Sequence, residues 1–187
     1  MQKLAVFNHV SLDGYFVDGQ GAMNWARAHN QDPEYNAFVA QNASGESTLV
    51  FGRVTYDLMT SYWPTPLASQ HEPVVAARIN ALPKVVFSKT MKAATWNNTR
   101  LLKGDLAGEI RQMKQEPGPG LVIMGSGTLV AQLAQEKLID EYQFVVNPVV
   151  LGSGRTLFEG VRDKVNLKMT QSRSFKNGNV FLSYETA

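Results

Sequence analysis

The sequence predicts an α/β protein built on a mixed, mostly parallel sheet with helices on both faces. Apolar, β-branched runs alternate with segments of helical period along most of the chain, a pattern typical of parallel sheets covered by helices. At the end, VNLKMTQSRSF and NVFLSYE flank the turn KNGN, and an Asn-Gly pair between such runs indicates an antiparallel hairpin. A length of 187 residues fits a single domain over 1–187.

Each element has its own local signal. Apolar runs rich in β-branched residues predict strands at 3–10, 48–52, 84–88, 100–103, 121–125 and 141–151. Apolar spacing of helical period predicts helices that follow Asp32-Pro33, run from Arg53 to about Thr60, cover 74–82, follow Asp105 and cover 128–138. Asp32 and Asp105 are predicted N-caps, and Pro33 takes the first helical position. The proline-bearing stretch 61–73 is predicted to be a loop.

The composition argues against several kinds of partner. A net charge of +2 with scattered Lys and Arg predicts no nucleic-acid partner. No apolar stretch approaches membrane-spanning length and the amino-terminal run is too short for a signal peptide, so no membrane partner is predicted. The absence of cysteine excludes disulfides and thiolate chemistry and is compatible with the cytoplasm, where we expect the protein to reside.

The three histidines predict no metal site. His9, His29 and His71 lie far apart in the sequence and none belongs to a metal-binding motif. His9 stands in an apolar predicted strand, and such a histidine is more often a hydrogen-bonded core residue than a ligand.

The segment VIMGSGTLV, residues 122–130, places a glycine-rich turn between a strand and a helix. The first amides of a helix have no intrahelical acceptor, so such a turn can bind an anion. The dinucleotide fingerprint would require a glycine where Val130 stands, and no lysine follows to complete a phosphate-binding P-loop. Taken alone, the turn fits a phosphate cradle and a plain strand-to-helix connection equally well.

The segment GRVTY, residues 52–56, repeats this geometry with a charge. Gly52 ends a strand, Arg53 opens a helix and Thr55 lies in its first turn. An arginine fork suits a phosphate, whereas a cation at a helix N-terminus is disfavoured by the helix dipole. An anionic ligand at Arg53 is therefore favoured, and pairing of Arg53 with a surface acid is the alternative.

A third strand end carries Ser88 and Lys89 in VVFSKT, residues 85–90. In an open α/β sheet, ligands bind outside the carboxyl ends of the strands. Three anion-binding strand ends along one sheet edge fit a ligand that carries a diphosphate and a separate monophosphate. NADPH is such a molecule.

These motifs, in this order, resemble a known superfamily. SLDG (11–14), GRVTY, VVFSKT, VIMGSGTL and LIDEYQFVVNPVVLGSGRTLF (138–158) are similar to segments of the dihydrofolate reductase-like superfamily. The nearest branch contains proteins that resemble the C-terminal reductase domain of the bifunctional riboflavin-biosynthesis deaminase–reductase. The resemblance covers about residues 3–185 and implies a dihydrofolate reductase-like fold.

The resemblance implies NADPH as cofactor and assigns its contacts to the three strand ends. It places Arg53, Ser88 and Lys89 at the 2′-phosphate, and Gly125, Ser126, Gly127 and Thr128 around the diphosphate, with Gly52 and Thr55 beside them. It also places Asp13 and Gly14 near the nicotinamide and the substrate. Asp13 is thus the first candidate for substrate binding or proton relay, and Glu34 is the second.

The chain departs from the pattern of its relatives at specific positions. Pyrimidine reductases of riboflavin synthesis carry a glutamate where Met124 stands, so an acid that would assist proton transfer is missing. AMNW (22–25) is similar to a dihydrofolate reductase loop, but Glu34 follows it later than the pterin-binding carboxylate of those enzymes does. A solvated acid in the first helical turn is the alternative for Glu34. Arg155 follows a second GSG and is either a substrate-phosphate contact or part of a glycine-rich connection.

The function implied by the resemblance is NADPH-dependent reduction of a small pterin-like or pyrimidine-like heterocycle, or of a carbonyl compound. This activity is similar to that of 5-amino-6-(5-phosphoribosylamino)uracil reductase in riboflavin biosynthesis. Dihydrofolate reduction is one alternative, and a non-catalytic NADPH-binding protein, favoured by Met124, is another. The expected partner is the small-molecule substrate, and a homodimer is compatible with the resemblance.

Overall fold

The computed structural model describes residues 1–27 and 32–187, with all side chains in those ranges except those of residues 27, 43 and 44. The strands within these ranges are β1 (Leu4–Ser11), β2 (Tyr15–Asp18), β3 (Thr48–Gly52), β4 (Lys84–Phe87), β5 (Thr99–Leu102), β6 (Leu121–Met124), β7 (Glu141–Asn147), β8 (Gly154–Thr156), β9 (Leu167–Ser174) and β10 (Val180–Thr186). The α-helices are α1 (Pro33–Ser44), α2 (Arg53–Thr60), α3 (Pro66–His71), α4 (Pro73–Ala81), α5 (Leu106–Gln115) and α6 (Gly127–Gln135). A short 3-10 helix covers Asn24–Arg27.

Eight strands form one sheet in the order β5-β4-β3-β6-β1-β7-β10-β9. The pairs from β5 to β7 are parallel, and β10 pairs antiparallel with both β7 and β9. This confirms the predicted mixed, mostly parallel sheet with a C-terminal antiparallel hairpin. β2 and β8, which the sequence did not predict, pair antiparallel in a separate small sheet. Because parallel strands point the same way, β1, β3, β4 and β6 all end at one side of the main sheet, which we call the carboxyl edge.

Helices cover both faces of the sheet. On the first face, Val50 and Ile123 pack in one cluster with Ile110 of α5 and Leu133 of α6. On the second face, the alternate position Phe51 packs with side chains of α2, α3 and α4. Tyr35 and Phe38 of α1 pack against Val145, Phe175 and Phe181 on this second face, next to Phe7 of β1.

The helix N-caps follow the predicted chemistry. The Asp32 side chain accepts hydrogen bonds from the amides of Glu34 and Tyr35, and Asp105 accepts one from Gly108. The prediction of a loop over 61–73 is wrong because α3 lies within it. Thr65 caps α3 through the amide of Ala68, and its Pro66 occupies the first helical position, where a missing N–H costs nothing.

The last parallel strand is shorter than predicted. The apolar run 141–151 indicated a strand through residue 151, but β7 ends at Asn147. The next residue is Pro148, which has no N–H to donate to a neighbouring strand. None of the helices in the two described ranges is both long enough and apolar enough to span a bilayer.

Candidate functional site

Two helices begin side by side at the carboxyl edge. β3 leads directly into α2, β6 leads through Gly125 and Ser126 into α6, and β3 and β6 are neighbours in the sheet. Within the described part of the chain, no side chain caps either helix N-terminus, whereas α1, α3 and α5 have capping side chains. The first amides of α2 and α6 are therefore available to an anion at this edge.

The turn before α6 is held in an unusual backbone conformation. Gly125 and Ser126 both have positive φ, 62° and 60°. The Ser126 amide donates to Thr55 Oγ1 at 3.0 Å, and Ser126 Oγ accepts from the Gly52 amide at 2.8 Å. The amide and hydroxyl of Ser126 thus hold the turn against α2, and the amides of Gly127 and Thr128 remain for a ligand.

Arg53, Ser88 and Lys89 all lie at this edge, after the neighbouring strands β3 and β4. Arg53 Nη1 lies 3.2 Å from Asp57 Oδ2, and about half of each side chain is exposed. This is the pairing with a surface acid that the sequence left open, and an exposed pair of this kind contributes little to stability. Ser88 Oγ accepts from the Met91 amide at 3.0 Å, and Lys89 is exposed. Contact of these three residues with a cofactor stays a prediction.

Asp13 joins the turn after β1 to the loop after β7. Its carboxylate accepts from the amides of Leu151, at 3.1 Å, and Gly152, at 2.7 Å. Hydrogen bonds from the Ser11 side chain and from these amides lower the pKa of Asp13 from 3.8 to about 2. A carboxylate that is ionised at neutral pH is an anchor and a poor proton donor. A proton-relay role for Asp13 stays a prediction.

Replacing Asp13 by asparagine should therefore change stability in a pH-dependent way. The pKa of Asp13 is lower in the folded state, so its contribution is present above about pH 3.8 and is lost as the pH falls towards 2. We expect Asp13→Asn to lower the melting temperature at pH 7 and to have little effect near pH 2, as measured by circular dichroism.

Asp18→Asn is the matched control, because the amides that donate to Asp18 among the described residues, those of Gln20 and Ala22, are close to it in the sequence. An unchanged melting temperature for Asp13→Asn at pH 7, together with lost turnover, would instead assign Asp13 a chemical role.

Glu34 lies in the first turn of α1 and ties this helix to β9. Its Oε1 accepts from Arg173 Nη2 at 2.7 Å, and both side chains are roughly half exposed. The Arg173 guanidinium also lies over the ring of Phe175, 5.1 Å from its centroid. The ion pair gives Glu34 a structural contact, and its participation in catalysis stays a prediction.

Met124 and Arg155 occupy different surroundings. Met124 is half-buried and packs against the cluster beneath α2, α3 and α4. Arg155 lies in β8, where its Nε is 3.4 Å from Glu159 Oε2. A groove of about 400 Å³ runs along the whole of α6 and is lined in part by Thr128 and Arg155.

The sequence did not single out Asn147, which lies at the carboxyl edge and is fully buried. Its Nδ2 donates to the carbonyls of Val145, at 3.0 Å, and Val10, at 3.3 Å, and lies 3.3 Å from His9 Nδ1. His9 is hydrogen-bonded, as predicted, but its ring is half-buried rather than enclosed in the core. A polar residue that ends an apolar strand just before a proline was the available signal for Asn147.

The described residues contain no group of three or more His, Asp or Glu side chains placed to hold a metal ion. His29, one of the three histidines, lies outside those residues.

Comparison with known proteins finds relatives in sequence and in fold. The chain is 29% identical over 175 residues to the uncharacterized protein YyaP of Bacillus subtilis (strain 168), covering 94% of this chain and 90% of that one. A solved structure from Shewanella sp. PV-4, named as that of a riboflavin biosynthesis protein, is 24% identical to the chain and superposes on it with a TM-score of 0.75. The match covers 100% of this chain and 99% of that one. Dihydrofolate reductase of Enterococcus faecalis has 14% identity, a TM-score of 0.64, and coverage of 98% and 96%.

These two solved structures confirm the dihydrofolate reductase-like fold that the sequence motifs implied. Residues 2–181 match the family described as the RibD C-terminal domain, which covers almost the whole chain. The protein is therefore a member of the RibD C-terminal domain family.

Proposed function

We propose that the protein is an NADPH-dependent reductase of a small pterin-like or pyrimidine-like heterocycle or of a related carbonyl compound. The observation that carries this proposal is the pair of neighbouring, uncapped helix N-termini at the carboxyl edge, with Arg53 at the start of α2. Two adjacent anion-binding helix ends and a half-exposed arginine suit a ligand with more than one phosphate group.

The residues at this edge fit such a cofactor. A side chain at Gly125 would meet Thr55 at 2.8 Å, so only a glycine lets the turn pack this closely against α2, next to the first amides of α6. The amides of Gly127 and Thr128 would hold the diphosphate, and Arg53 with Ser88 and Lys89 would hold the 2′-phosphate. The bound cofactor would supply the hydride, while the protein supplies position and electrostatics.

Two relatives support this assignment. The dihydrofolate reductase of E. faecalis was solved in complex with NADP(H), and the Shewanella protein is named for riboflavin biosynthesis. A pyrimidine such as the substrate of 5-amino-6-(5-phosphoribosylamino)uracil reductase is therefore our first choice of substrate. Met124 supports a second candidate, a protein that binds NADPH without turnover, because a thioether cannot transfer a proton.

Activity is tested by mixing the purified protein and NADPH with a panel of pyrimidine, pterin and quinone acceptors. We expect loss of nicotinamide absorbance with at least one acceptor. Calorimetric binding of NADPH without turnover across the panel would favour the second candidate. Absence of NADPH binding would reject both.

A further inference from the structure

The strands β7, β10 and β9 form one end of the main sheet, and alternation assigns their side chains to its two faces. Phe181 of β10 packs against α1 on the second face, so its neighbour Leu182 points to the first face, as does Tyr184. The register pairs Leu182 with Phe144 of β7, and Tyr184 with Met169 of β9. These four side chains therefore share the first face.

The charged residues of these three strands lie on the opposite, second face. They are Glu141, Lys168, Arg173 and Glu185. Alternation from Val145 and Phe181, which pack against α1, places both glutamates there. Lys168 joins them through an ion pair with Glu185, whose Oε1 lies 3.4 Å from the lysine Nζ. Arg173 reaches α1, where Glu34 Oε1 lies 2.7 Å from its Nη2. The register thus leaves the first face of these strands without a charged side chain.

The first face of these strands carries apolar side chains that reach solvent. Met169 is 56% exposed, and Leu182 and Tyr184 are half-buried. Phe158, which precedes β9 in the chain, packs against β7 with its ring 6.2 Å from that of Phe144, and it is itself 39% exposed. We call the surface formed by these five residues the open face.

The open face has the chemistry of a contact surface between proteins. The solvated face of an antiparallel sheet normally carries polar side chains, whereas the open face carries three aromatic rings, a leucine and a methionine. Aromatic residues and methionine are enriched at the centres of protein interfaces, and charged residues are depleted there. The open face matches this pattern in both respects.

A second copy of the chain suits the open face because of how charge is distributed around it. In a two-fold dimer each surface meets its own copy, so a charge near its centre would face a like charge. The open face has no charged residue. The exposed segment 159–164, which leads from Phe158 towards β9, carries two acidic and two basic residues. Two copies can therefore bring opposite charges together around an uncharged centre.

Pairing of the free edges of two β9 strands is a less favourable way to join two copies. A two-fold axis at the middle of this strand would place Lys168 directly opposite the partner's Arg173. Like charges directly opposite each other destabilise a strand pair, and lysine on an edge strand protects against such pairing. The chemistry of β9 thus opposes contact through its edge and favours contact through its face.

We propose that the protein forms a two-fold homodimer in which the open faces of two copies pack against each other. Two sheets packed face to face lie about 10 Å apart, and side chains from both inner faces fill the space between them. The residues of the open face, which are partly exposed in one chain, become the apolar centre of the dimer. This inference is independent of the proposed reductase function.

Sedimentation equilibrium of the wild type tests the assembly. We expect a mass twice the 20.7 kDa of one chain. The mass of a single chain at every concentration would overturn the proposal and leave the open face to a different protein partner.

Met169→Lys tests the surface by placing a charge in the open face. The dissociation constant of the dimer should rise by about a hundredfold or more, because the buried ammonium group would have no partner. Gln171→Lys is the matched control, since it adds the same charge to the same strand at an exposed position that pairs with Ser183 on the second face. This variant should remain a dimer. Circular dichroism should show that both variants are folded. Unchanged dimerisation of Met169→Lys, or equal dissociation of both variants, would overturn the proposal.

The solvent exposure of methionine methyl groups tests the same surface in the wild type. With ¹³C-methyl labelling and a water-soluble paramagnetic agent, the NMR signal of the fully exposed Met1 should broaden strongly. The signal of Met169, assigned by its loss in Met169→Leu, should be protected even though a single chain exposes 56% of this residue. Equal broadening of Met169 and Met1 would overturn the proposal even if the protein were a dimer through another surface.

Discussion

Replacing Arg53 by alanine is expected to weaken NADPH binding by roughly ten- to a hundredfold while leaving NADH binding almost unchanged. Hydrogen bonds to charged groups contribute about 1.5–3 kcal/mol, and each 1.4 kcal/mol is a factor of ten in affinity. Only NADPH carries the 2′-phosphate that we assign to Arg53. Calorimetric titration of both cofactors into the wild type and the variant measures the change, and the preference for NADPH should also shrink as salt rises.

Asp57 provides the matched control, because its carboxylate lies 3.2 Å from the Arg53 guanidinium and would compete with the phosphate. Asp57→Asn should therefore strengthen NADPH binding, whereas Arg53→Ala weakens it. Equal losses for NADH and NADPH in Arg53→Ala would mean that Arg53 holds the diphosphate or the fold and does not select the cofactor.

The elements that local chemistry specifies were predictable from the sequence. Asp32 and Asp105 cap their helices as expected, and α2 begins at Arg53 and ends at Thr60. The missed helix α3 shows the limit of treating proline as a breaker, because Pro66 follows a capping threonine. β2 and β8 were missed for another reason: they are short, and their pairing joins segments far apart in the chain.

The candidate site likewise combines features that were predictable from the sequence with features that were not. The glycine-rich turn and Arg53 were found from the sequence because strand-to-helix junctions have a local signature. The bond from the Gly52 amide to Ser126 Oγ was not, because it joins residues 74 positions apart. The contact between Asn147 and His9 spans 138 positions and likewise depends on the sheet register. Long-range pairing thus decides which polar groups at the carboxyl edge remain for a ligand.

Replacing Gly125 by alanine is expected to reduce NADPH affinity by roughly tenfold or more. A left-handed conformation costs a residue with a Cβ about 1–2 kcal/mol, and Gly125 has a φ of 62°. The new Cβ would also lie 2.8 Å from Thr55 Cγ2 and 3.0 Å from Thr55 Oγ1. Thr55 would have to move, and its hydroxyl is the acceptor that holds the Ser126 amide at 3.0 Å. The turn that presents the amides of Gly127 and Thr128 would then lose its support.

Gly152→Ala separates backbone strain from this displacement. Gly152 has a similar φ of 72°, but a Cβ there would meet nothing within 4 Å. Both variants should lose stability from the backbone, and Gly125→Ala should lose more because it also displaces Thr55, as measured by thermal unfolding. Only Gly125→Ala should lose NADPH affinity, as measured by calorimetry. Adding Thr55→Ser to Gly125→Ala removes the methyl group at 2.8 Å and keeps the hydroxyl, so it should restore part of the affinity. Equal NADPH affinities for the two glycine variants would mean that the turn at Gly125 does not form the diphosphate site, because only there does the added methyl group displace Thr55.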